Sequence, residues 1–457
     1  MKTRAKCIVI AAPKSSSGKT TVSIALMQAL KDKGYKVNAF KCGPDYIDPM
    51  FHKEILGIPS KNLDLFFSDG SFIKKTFAED NQSDISIIEG VMGLYDGIGG
   101  NSREASTYEV ASVLNAPVVL VIDTKGMSYS VLAEIKGFIM MDDRKLIKGV
   151  ILNNMSSSVF SLLKDRIEEE SGIKAFGFLP PLKDIKIESR YLGLKLPEEI
   201  EGIRQMVSKA ADELKKDVDL DSIISSACGI DIDEGKKDVF ESCSNAKKIK
   251  IAIARDKAFC FYYEDNLSLL RKMGAELIEF SPIKDKRIPE GVSGLILGGG
   301  YPELFAGELE ANNSMKQDIK RLIEGGLPVI AECGGFMYLH DTITDKEGNK
   351  FNMAGVIDGE CFYTGRLVRF GYISVKEKTP HFMKALQMIK GHEFHYFDST
   401  SNGSDCVASK PVGNRSWECI GEKDFHWWGF PHLYYPSCPD YALSFIGFCK
   451  RYGEEHE

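Results

Sequence analysis

The chain has 457 residues, a length typical of two or three domains. Hydrophobic residues make up 43% and charged residues 27% of the chain, so a full apolar core can form. The net charge of −7 argues against general nucleic-acid binding, which is usually accompanied by an excess of Lys and Arg.

The cysteines and the first apolar run indicate where the protein works. The 11 cysteines are an odd number and none belongs to a C-x-x-C pair, so we expect neither a disulfide framework nor a cysteine-rich zinc site. Free thiols fit a reducing compartment. The apolar run at residues 7–12 is too short for a membrane span or a secretory signal. We therefore expect a cytoplasmic protein with no membrane partner and no nucleic-acid partner.

Residues 1–208 alternate between apolar runs of strand length and helical stretches, and we predict that they form a first domain. Uninterrupted apolar runs separated by helices are typical of a parallel sheet that is covered on both faces. Helices are predicted at residues 20–33 and 128–141. The predicted strands are residues 7–12, 36–41, 85–89, 117–123 and 148–153.

Residues 209–247 are rich in charged and small residues without a firm apolar period, and we interpret them as a helical linker. A second alternating α/β pattern starts at residue 248, which predicts a second domain at residues 248–457. From about residue 355 the pattern changes to short alternating runs with many aromatic residues, which indicates a β-rich completion of this domain. Before that point we predict strands at residues 249–254, 276–280, 294–297 and 327–331, and helices at residues 266–273 and 315–323.

A loop of small residues joins the first predicted strand to the first predicted helix. Residues 11–21 read Ala-Ala-Pro-Lys-Ser-Ser-Ser-Gly-Lys-Thr-Thr. Such a loop lets backbone N–H groups point at phosphate oxygens, and the helix N-terminus adds its positive end. We predict that ATP binds here, with Lys19 at the β- and γ-phosphates and the hydroxyl of Thr20 on Mg²⁺. The nucleotide-binding residues predicted in this loop are Ser17, Gly18, Lys19, Thr20 and Thr21.

Two residues of this loop, Pro13 and Lys14, differ from the usual phosphate-loop motif. Pro13 stands where the first glycine of the usual motif is expected, so the match rests on Gly-Lys-Thr and on the serine-rich loop before it. Lys14 stands five positions before Lys19, where some dimeric P-loop ATPases place an extra lysine. We interpret Lys14 as a solvated loop residue, although it also suggests a competing function as a switch-type ATPase.

Carboxylates follow two of the predicted strands. Asp45 and Asp48 come after the second strand, Glu89 ends the third, and Asp96 follows Glu89. In open parallel sheets ligands bind beyond the carboxyl ends of the strands, and Mg²⁺ takes carboxylates as ligands. Capping of helix ends by Asp45 or Asp96 is the competing interpretation.

The phosphate loop favours a metal role for these carboxylates. We predict that Thr20, Asp45 and Glu89 hold Mg²⁺, because residues nearest the strand ends should meet the phosphates. Asp48 and Asp96 lie further along their loops. They are our predicted catalytic carboxylates, because residues further out should meet the substrate.

Residues 11–21, 43–49 and 89–97 closely resemble the N-terminal domain of the cobyrinic acid a,c-diamide synthase family, which is related to dethiobiotin synthetase and cobyric acid synthase. In such enzymes ATP phosphorylates a carboxylate of the substrate, and a nitrogen nucleophile displaces the phosphate. The resemblance implies a P-loop parallel-sheet domain that uses ATP and Mg²⁺. It also implies that Asn153, at a strand end, contacts adenine.

The resemblance continues in residues 178–180 and 188–194. Within the second of these segments, Tyr191 stands where the family usually has His. An imidazole function at that position is therefore not expected in this chain.

Cys333 lies where a predicted strand turns sharply into a predicted helix, in the stretch Ala-Glu-Cys-Gly-Gly-Phe. A nucleophile on such a turn is exposed at a helix N-terminus, whose dipole lowers the pKa of a thiol. The flanking glycines permit the turn and leave room for substrate. A buried structural role is the default for the other ten cysteines, whereas we predict that Cys333 is the nucleophile of a glutaminase.

A thiol nucleophile needs a base, and His432 in Gly-Phe-Pro-His is our choice. Class I glutamine amidotransferases place this histidine late in the domain, and the resemblance also falls on His432. His426 is the rival and lacks the Gly-x-Pro-His context. Typical class I amidotransferases have Glu two residues after the histidine; here that residue is Tyr434, so the group that orients His432 is open.

Two further motifs belong to the second domain. The loop Gly298-Gly299-Gly300 follows a strand and resembles the glycine loop that supplies oxyanion donors in amidotransferases, with Gly334 as a second donor. Residues 391–396, Gly-His-Glu-Phe-His-Tyr, have the wrong spacing for a His-Glu-x-x-His zinc helix. The family also has this stretch, and a substrate or interdomain role is our expectation for it.

Taken with the resemblance, the two centres predict an α/β protein with a P-loop synthetase domain and a class I glutamine amidotransferase-like domain. We expect ATP-dependent amidation of the a and c carboxylates of cobyrinic acid with ammonia from glutamine, as part of cobalamin biosynthesis. Hydrogenobyrinic acid and nickel-sirohydrochlorin are alternative substrates. A switch-type ATPase with an inactive second domain is the alternative function. A homodimer is compatible with the sequence.

Overall fold

A computed structural model describes residues 4–79, 83–182, 189–190, 193–194, 196, 200–231 and 248–456. The chain divides into two compact units, Met1–Gly235 and Lys236–Glu457. Throughout the described ranges, every helix is too short or too polar to cross a membrane. Tyr191 and the residues at positions 188 and 192 lie outside the described residues, so the part of the family resemblance that rests on them has no structural counterpart here.

The first unit is built on a parallel sheet. Its strands are β1 (Arg4–Ala11), β2 (Val37–Cys42), β3 (Ser60–Leu63), β4 (Ile85–Glu89), β5 (Val118–Asp123), β6 (Ile147–Asn153) and β7 (Lys174–Leu179). Their order across the sheet is β3-β2-β4-β1-β5-β6-β7. A two-stranded antiparallel pair follows, β8 (Ser189–Arg190) and β9 (Gly193–Leu194). The last strand, β10 (Cys228–Asp231), pairs antiparallel with the first half of β1.

Helices cover both faces of this sheet. Cys7, Val9 and Ala11 of β1 belong to one apolar core with residues of α3 to α6, while the alternate residues Ile8 and Ile10 are also fully buried. On that second side α1 packs against α7 and against the strands. The helices are α1 (Lys19–Asp32), α2 (Ile47–Met50), α3 (Gly70–Glu79), α4 (Thr107–Leu114), α5 (Val131–Met140), α6 (Ser157–Ser171), α7 (Ile203–Asp217) and α8 (Leu220–Ser226).

The structure places part of the predicted linker in the first unit. Helix α7 runs across residue 208, where we expected the first domain to end, and it packs against α1 and β7. Its buried residues, among them Val207, Ala211 and Leu214, recur at helical spacing, which anchors the helix on the unit. Strand β10 then adds to the sheet, and the unit extends to Gly235.

The second unit contains a mixed six-stranded sheet in the order β12-β11-β13-β14-β24-β23, parallel except for β23. Its strands are β11 (Ile249–Ala254), β12 (Ala275–Phe280), β13 (Gly294–Leu297), β14 (Val329–Glu332), β23 (Gly421–Lys423) and β24 (His426–Gly429). Helices α9 and α13 pack on one face, and α10 to α12 on the other. These helices are α9 (Glu264–Lys272), α10 (Ala306–Ala311), α11 (Asn313–Glu324), α12 (Gly334–Leu339) and α13 (Pro439–His456).

Two smaller sheets complete the second unit, as the aromatic, alternating pattern after residue 355 predicted. One has the order β16-β15-β17-β20 and the other β22-β21-β18-β19-β25. Their strands are β15 (His340–Thr344), β16 (Lys350–Asn352), β17 (Ile357–Tyr363), β18 (Arg369–Glu377), β19 (Ile389–His395), β20 (Phe397–Ser399), β21 (Cys406–Ser409), β22 (Ser416–Cys419) and β25 (His432–Leu433).

Candidate active sites

The phosphate loop connects β1 to α1 as predicted. Gly18 has a φ of +91°, a backbone conformation that favours glycine, and α1 begins directly after it. A Cβ atom on Gly18 would lie 2.2 Å from Nδ2 of Asn153. That amide nitrogen donates to the backbone oxygen of Ser17 at 3.1 Å. The loop therefore requires glycine at position 18, and the structure brings Asn153 directly against it.

Lys19 is buried within this loop. Its Nζ donates to the carbonyl oxygen of Met92 at 2.6 Å and to that of Lys14 at 3.3 Å. Burial, together with the nearby Lys41, lowers the pKa of Lys19 to about 8. The side chain of Lys14 is exposed, as expected for a solvated loop residue.

A buried cluster of charges lies at the ends of β2 and β4. Lys41 forms ion pairs with Asp48 and, at 3.1 Å, with Glu89, and His52 Nε2 lies 3.3 Å from the second oxygen of Glu89. Burial alone lowers the pKa of Lys41, but the carboxylates of Asp48, Glu89 and Asp45 outweigh it and raise the pKa. The positive charge of Lys41 and the negative charges of its carboxylate partners thus compensate one another inside the unit.

The pKa values of two carboxyl groups in this cluster, Asp48 and Glu89, shift in opposite directions. Burial raises the pKa of Asp48, and the neighbouring Asp45 and Glu89 raise it further. Burial also acts to raise the pKa of Glu89, but Lys41 and the hydrogen bond from His52 hold it below its usual value. Glu89 is therefore ionised at neutral pH.

Thr20 and Glu89 form the part of the predicted metal site that the structure brings together. The Thr20 hydroxyl donates to Glu89 Oε1 at 2.7 Å beside the phosphate loop. Two hard oxygen donors suit Mg²⁺, which in phosphoryl-transfer sites takes one or two carboxylates and completes its shell with phosphate oxygens and water. Among the described residues no group of three or more His, Cys, Asp or Glu forms a metal cage. The residues thus fit a Mg²⁺ site that the nucleotide completes.

Asp45 and Asp96 each use one oxygen to stabilise a local turn. Asp45 Oδ1 accepts from the backbone N–H of Ile47 at 2.8 Å and from that of Asp48 at 3.1 Å. Asp96 Oδ2 accepts from the N–H of Gly93 at 2.8 Å. The turn role that competed with a chemical role is therefore present for one oxygen of each carboxylate. A metal or catalytic role must use the lone pairs that these hydrogen bonds leave available.

In the second unit, Cys333 lies on the predicted sharp turn between β14 and α12. Its φ is +46°, and its N–H donates to the carbonyl oxygen of Gly429 at 2.8 Å. A Cβ atom on Gly335 would lie 2.1 Å from the carbonyl oxygen of Leu297, so only glycine fits at that position. These contacts fix the turn that carries the thiol.

The pKa of the Cys333 thiol differs from our expectation. We predicted that the helix N-terminus lowers it, but burial raises it, and the carboxylates of Glu303 and Glu393 add to the effect. Helix α12 has only six residues, and the hydrogen bond from the Gly334 backbone acts against burial without reversing the direction of the shift. The thiol therefore needs a base that removes its proton.

His432 lies against the same glycine loop as the turn of Cys333. A Cβ atom on Gly299 would lie 2.3 Å from Cε1 of His432, and one on Gly334 would lie 3.0 Å from the backbone nitrogen of Gly300. Both predicted glutaminase residues thus flank residues 298–300. Burial lowers the pKa of His432 well below its usual value, so the ring is a neutral base at neutral pH.

The rival base His426 lies at the wrong end of the sheet. In the register of β14 and β24 it is opposite Val329, whereas Gly429 is opposite Glu332, the residue before Cys333. Val329 is four positions before Cys333 along the strand, which corresponds to about 13 Å. This distance excludes His426 as a direct partner of the thiol.

The main chain that follows His432 is held by the first turn of α9. Asn266 donates to the carbonyl oxygen of Leu433 at 2.8 Å and accepts from the N–H of Tyr435 at 2.8 Å. The hydroxyl of Tyr434 donates to Asp265 at 2.9 Å. The tyrosine that replaces the usual glutamate thus serves to anchor this segment.

Comparisons with known proteins agree with both sites. Residues 8–193 match the CobQ/CobB/MinD/ParA nucleotide binding domain, and residues 250–423 match the CobB/CobQ-like glutamine amidotransferase domain. Several curated relatives carry the name cobyrinate a,c-diamide synthase, among them the following three. The protein of Caldanaerobacter subterraneus subsp. tengcongensis is 40% identical over 98% of this chain and 100% of its own length. Those of Picrophilus torridus and Listeria innocua are 42% and 38% identical, each over 97% of this chain and 98% and 99% of their own.

The chain belongs to the cobyrinate a,c-diamide synthase family. Membership of this family confirms the recognition made from the sequence motifs. It also confirms the fold class, a P-loop nucleotide-binding domain joined to a glutamine amidotransferase domain. The individual site residues stay predictions at this stage.

Sequence reasoning missed several residues of the two sites in this cobyrinate a,c-diamide synthase relative. Lys41 was detectable, because it lies directly opposite Glu89 where two predicted strands end together. His52 and Asn266 carry no local signal, since their partners are 37 and 167 residues away along the chain. Glu332 precedes the predicted nucleophile and is buried, and burial raises its pKa to about 8 although Tyr435 donates to it at 3.2 Å.

Proposed function

We propose that the chain is a glutamine-hydrolysing ligase that uses ATP to amidate the a and c carboxylates of cobyrinic acid. One observation carries the proposal: a P-loop with a buried Lys19 and a nucleophile turn with Cys333 lie in one chain. The name cobyrinate a,c-diamide synthase of relatives that align over nearly the whole chain supports this substrate. We further propose Mg²⁺ as the metal of the P-loop site and a cytoplasmic location.

In the first unit, the substrate carboxylate attacks the γ-phosphoryl group of ATP and forms an acyl phosphate and ADP. Lys19 neutralises charge on the transferring group. Thr20 and Glu89, with Asp45, are the residues proposed to hold Mg²⁺, which would offset the charge of the phosphates. Asp48 and Asp96 are proposed to orient the ammonia nucleophile and accept a proton from it. Ammonia then displaces phosphate, and the amide is the product.

The remaining residues of the loop bind the nucleotide. Backbone N–H groups from Ser17 to Thr21 are proposed to surround the phosphates, as small residues and a helix N-terminus permit. Asn153 is proposed to contact the adenine base. Its position against Gly18 supports a place at the nucleotide.

In the second unit, His432 removes the proton from the Cys333 thiol, and the thiolate attacks the side-chain carbonyl carbon of glutamine. Backbone N–H groups from the loop at residues 298–300 and from Gly334 stabilise the oxyanion. The imidazolium of His432 returns its proton to the leaving ammonia. Water then hydrolyses the thioester, and glutamate leaves.

The substrate is tested by product mass. The purified protein is incubated with ATP, glutamine and, in separate reactions, cobyrinic acid, hydrogenobyrinic acid and nickel-sirohydrochlorin. The proposal expects the diamide of cobyrinic acid as the main product. A diamide formed faster from one of the other two acids would transfer the substrate assignment to that acid and leave the chemistry intact.

The same experiment addresses the competing function. A switch-type ATPase with an inactive second domain would hydrolyse ATP but release no glutamate from glutamine. Glutamate release without any tetrapyrrole amidation would contradict the proposed ligase.

A further inference from the structure

The His432 ring needs a neighbour that fixes its plane. The terminal torsion of a histidine side chain has broad minima, so the chain itself does not set the ring orientation. In typical class I amidotransferases a glutamate two residues later fulfils this task. Here that residue is Tyr434, whose hydroxyl donates to Asp265. Another group must orient the ring.

His392 lies directly against the His432 ring. Strands β19 and β25 pair antiparallel, and their register places His392 opposite His432. The two rings stack with centroids 4.9 Å apart and an angle of 15° between their planes. The Gly299 backbone lies close to the Cε1 edge of His432. The imidazole is thus confined by a ring on one face and by the glycine loop at its edge.

His392 is itself held in place. The hydroxyl of Tyr263 lies within hydrogen-bond distance, 3.0 Å, of His392 Nδ1. Tyr263 is buried and directly precedes α9. Burial lowers the pKa of His392 to about 3, so its ring stays neutral at working pH. His392 also contributes to the lowered pKa of His432, which keeps the base neutral until it takes the thiol proton.

The other two polar residues of the motif, Glu393 and His395, project from the opposite face of β19 to His392. Successive side chains of a strand point to opposite sides. Glu393 lies 2.8 Å from His395 Nε2 and accepts from the indole N–H of Trp417 at 3.1 Å. Both residues still influence the site, since Glu393 adds to the raised pKa of Cys333 and His395 adds to the lowered pKa of His432. The ring of the motif that stacks on His432 is that of His392.

We propose that His392, anchored by Tyr263, is the positioning residue of the base His432 and takes over the task of the absent glutamate. This inference rests on the proposed role of His432. It assigns a function to the first histidine of the His-Glu-Phe-His stretch.

The test compares glutamine hydrolysis in three variants. Loss of the ring in His392→Ala should lower kcat by about 10- to 100-fold, the scale of a misplaced catalytic group, with KM within about twofold. The double variant His392→Phe/Tyr263→Phe keeps a stacked ring and leaves no buried hydroxyl without its partner. This variant should recover most of the kcat that His392→Ala loses. Tyr263→Phe alone should lie between wild type and His392→Ala.

Two controls separate positioning from general damage. Tyr441→Phe removes a hydroxyl from another fully buried tyrosine of the same unit and should leave kcat unchanged. Amidation with ammonium salts, which bypasses the glutaminase, should stay at the wild-type rate in every variant. If His392→Ala does not fold, Tyr263→Phe decides, because it keeps the packing of the ring and removes only its anchor. A wild-type kcat in that variant would then refute the positioning role.

The outcomes distinguish the inference from its premise. Normal glutamine use by His432→Ala would refute the base assignment and the inference with it. Inactive His432→Ala together with a fully active His392→Ala would refute the positioning role and leave the base intact. A double phenylalanine variant as slow as His392→Ala would overturn ring stacking as the means of positioning.

Discussion

The buried charge cluster of the first unit predicts a large effect of Lys41→Met. Lys41 is a single ammonium between Asp48 and Glu89, and the three side chains are 4%, 7% and 0% exposed. At an effective dielectric constant of about 20, the attraction across the 3.1 Å to Glu89 is about 5 kcal/mol. Removal of one partner from a buried ion pair typically costs about 3–5 kcal/mol. We therefore expect a loss of unfolding free energy of this size.

The effect is measured as a thermal transition of the first unit. For a unit of this size each kcal/mol corresponds to about 2–4 °C, so the midpoint should fall by about 6–20 °C. All three tryptophans lie in the second unit, so tryptophan fluorescence should show an unchanged transition there, while far-UV circular dichroism reports the earlier one. The double variant Lys41→Met/Glu89→Gln removes the carboxylate that is ionised at neutral pH together with its partner, and it should recover part of the loss. A midpoint shift below about 2 °C in Lys41→Met would refute the reasoning.

Three other perturbations test separate parts of the account. Lys19→Ala should remove amidation with glutamine and with ammonium salts alike, since both need phosphoryl transfer; retained ammonia-driven product would contradict the phosphate loop assignment. Glu89→Gln should weaken binding of an ATP analogue with Mg²⁺, whereas Asp96→Asn should spare that binding and slow amidation, with monoamide accumulating in the product mass; equal loss of binding in both would reject this division. Glu332 has a raised pKa of about 8 when folded and an ordinary one when unfolded, so the stability that its protonated form contributes is lost as pH rises from about 4.5 to about 8. The unfolding midpoint of Glu332→Gln, followed by tryptophan fluorescence, should therefore rise relative to wild type over that range, and a constant difference would contradict the raised pKa.

The loops that follow buried strands were predictable because their chemistry is local. The phosphate loop and the turn at Cys333 each need small residues, a strand before them and a helix after them, and all three signals lie within about 20 residues of sequence. The carboxylates that follow β2 and β4 in the sequence likewise predicted a polar cluster at the ends of these strands. Register was the missing step, since Lys41 becomes visible only once it is placed opposite Glu89.

Other features depend on contacts between distant segments. Strand β10 pairs with β1, which lies more than 200 residues earlier in the chain. The sequence of residues 209–231 therefore resembles a linker until that partner is known. The thiol environment was misjudged because local sequence indicates a helix terminus but not the extent of burial, which raises the pKa of Cys333. The stack of His392 on His432 joins two strands of a β-rich region whose pairing no local pattern reports.

The central claim is that two chemical centres in one chain share the work of amidation. It is tested by Cys333→Ser, assayed with cobyrinic acid and ATP and with either glutamine or ammonium salts as the nitrogen source. Loss of the thiolate should abolish product formation from glutamine while the rate with ammonium salts stays at the wild-type level, because phosphoryl transfer takes place in the other unit. Normal glutamine-driven turnover in Cys333→Ser would contradict the account.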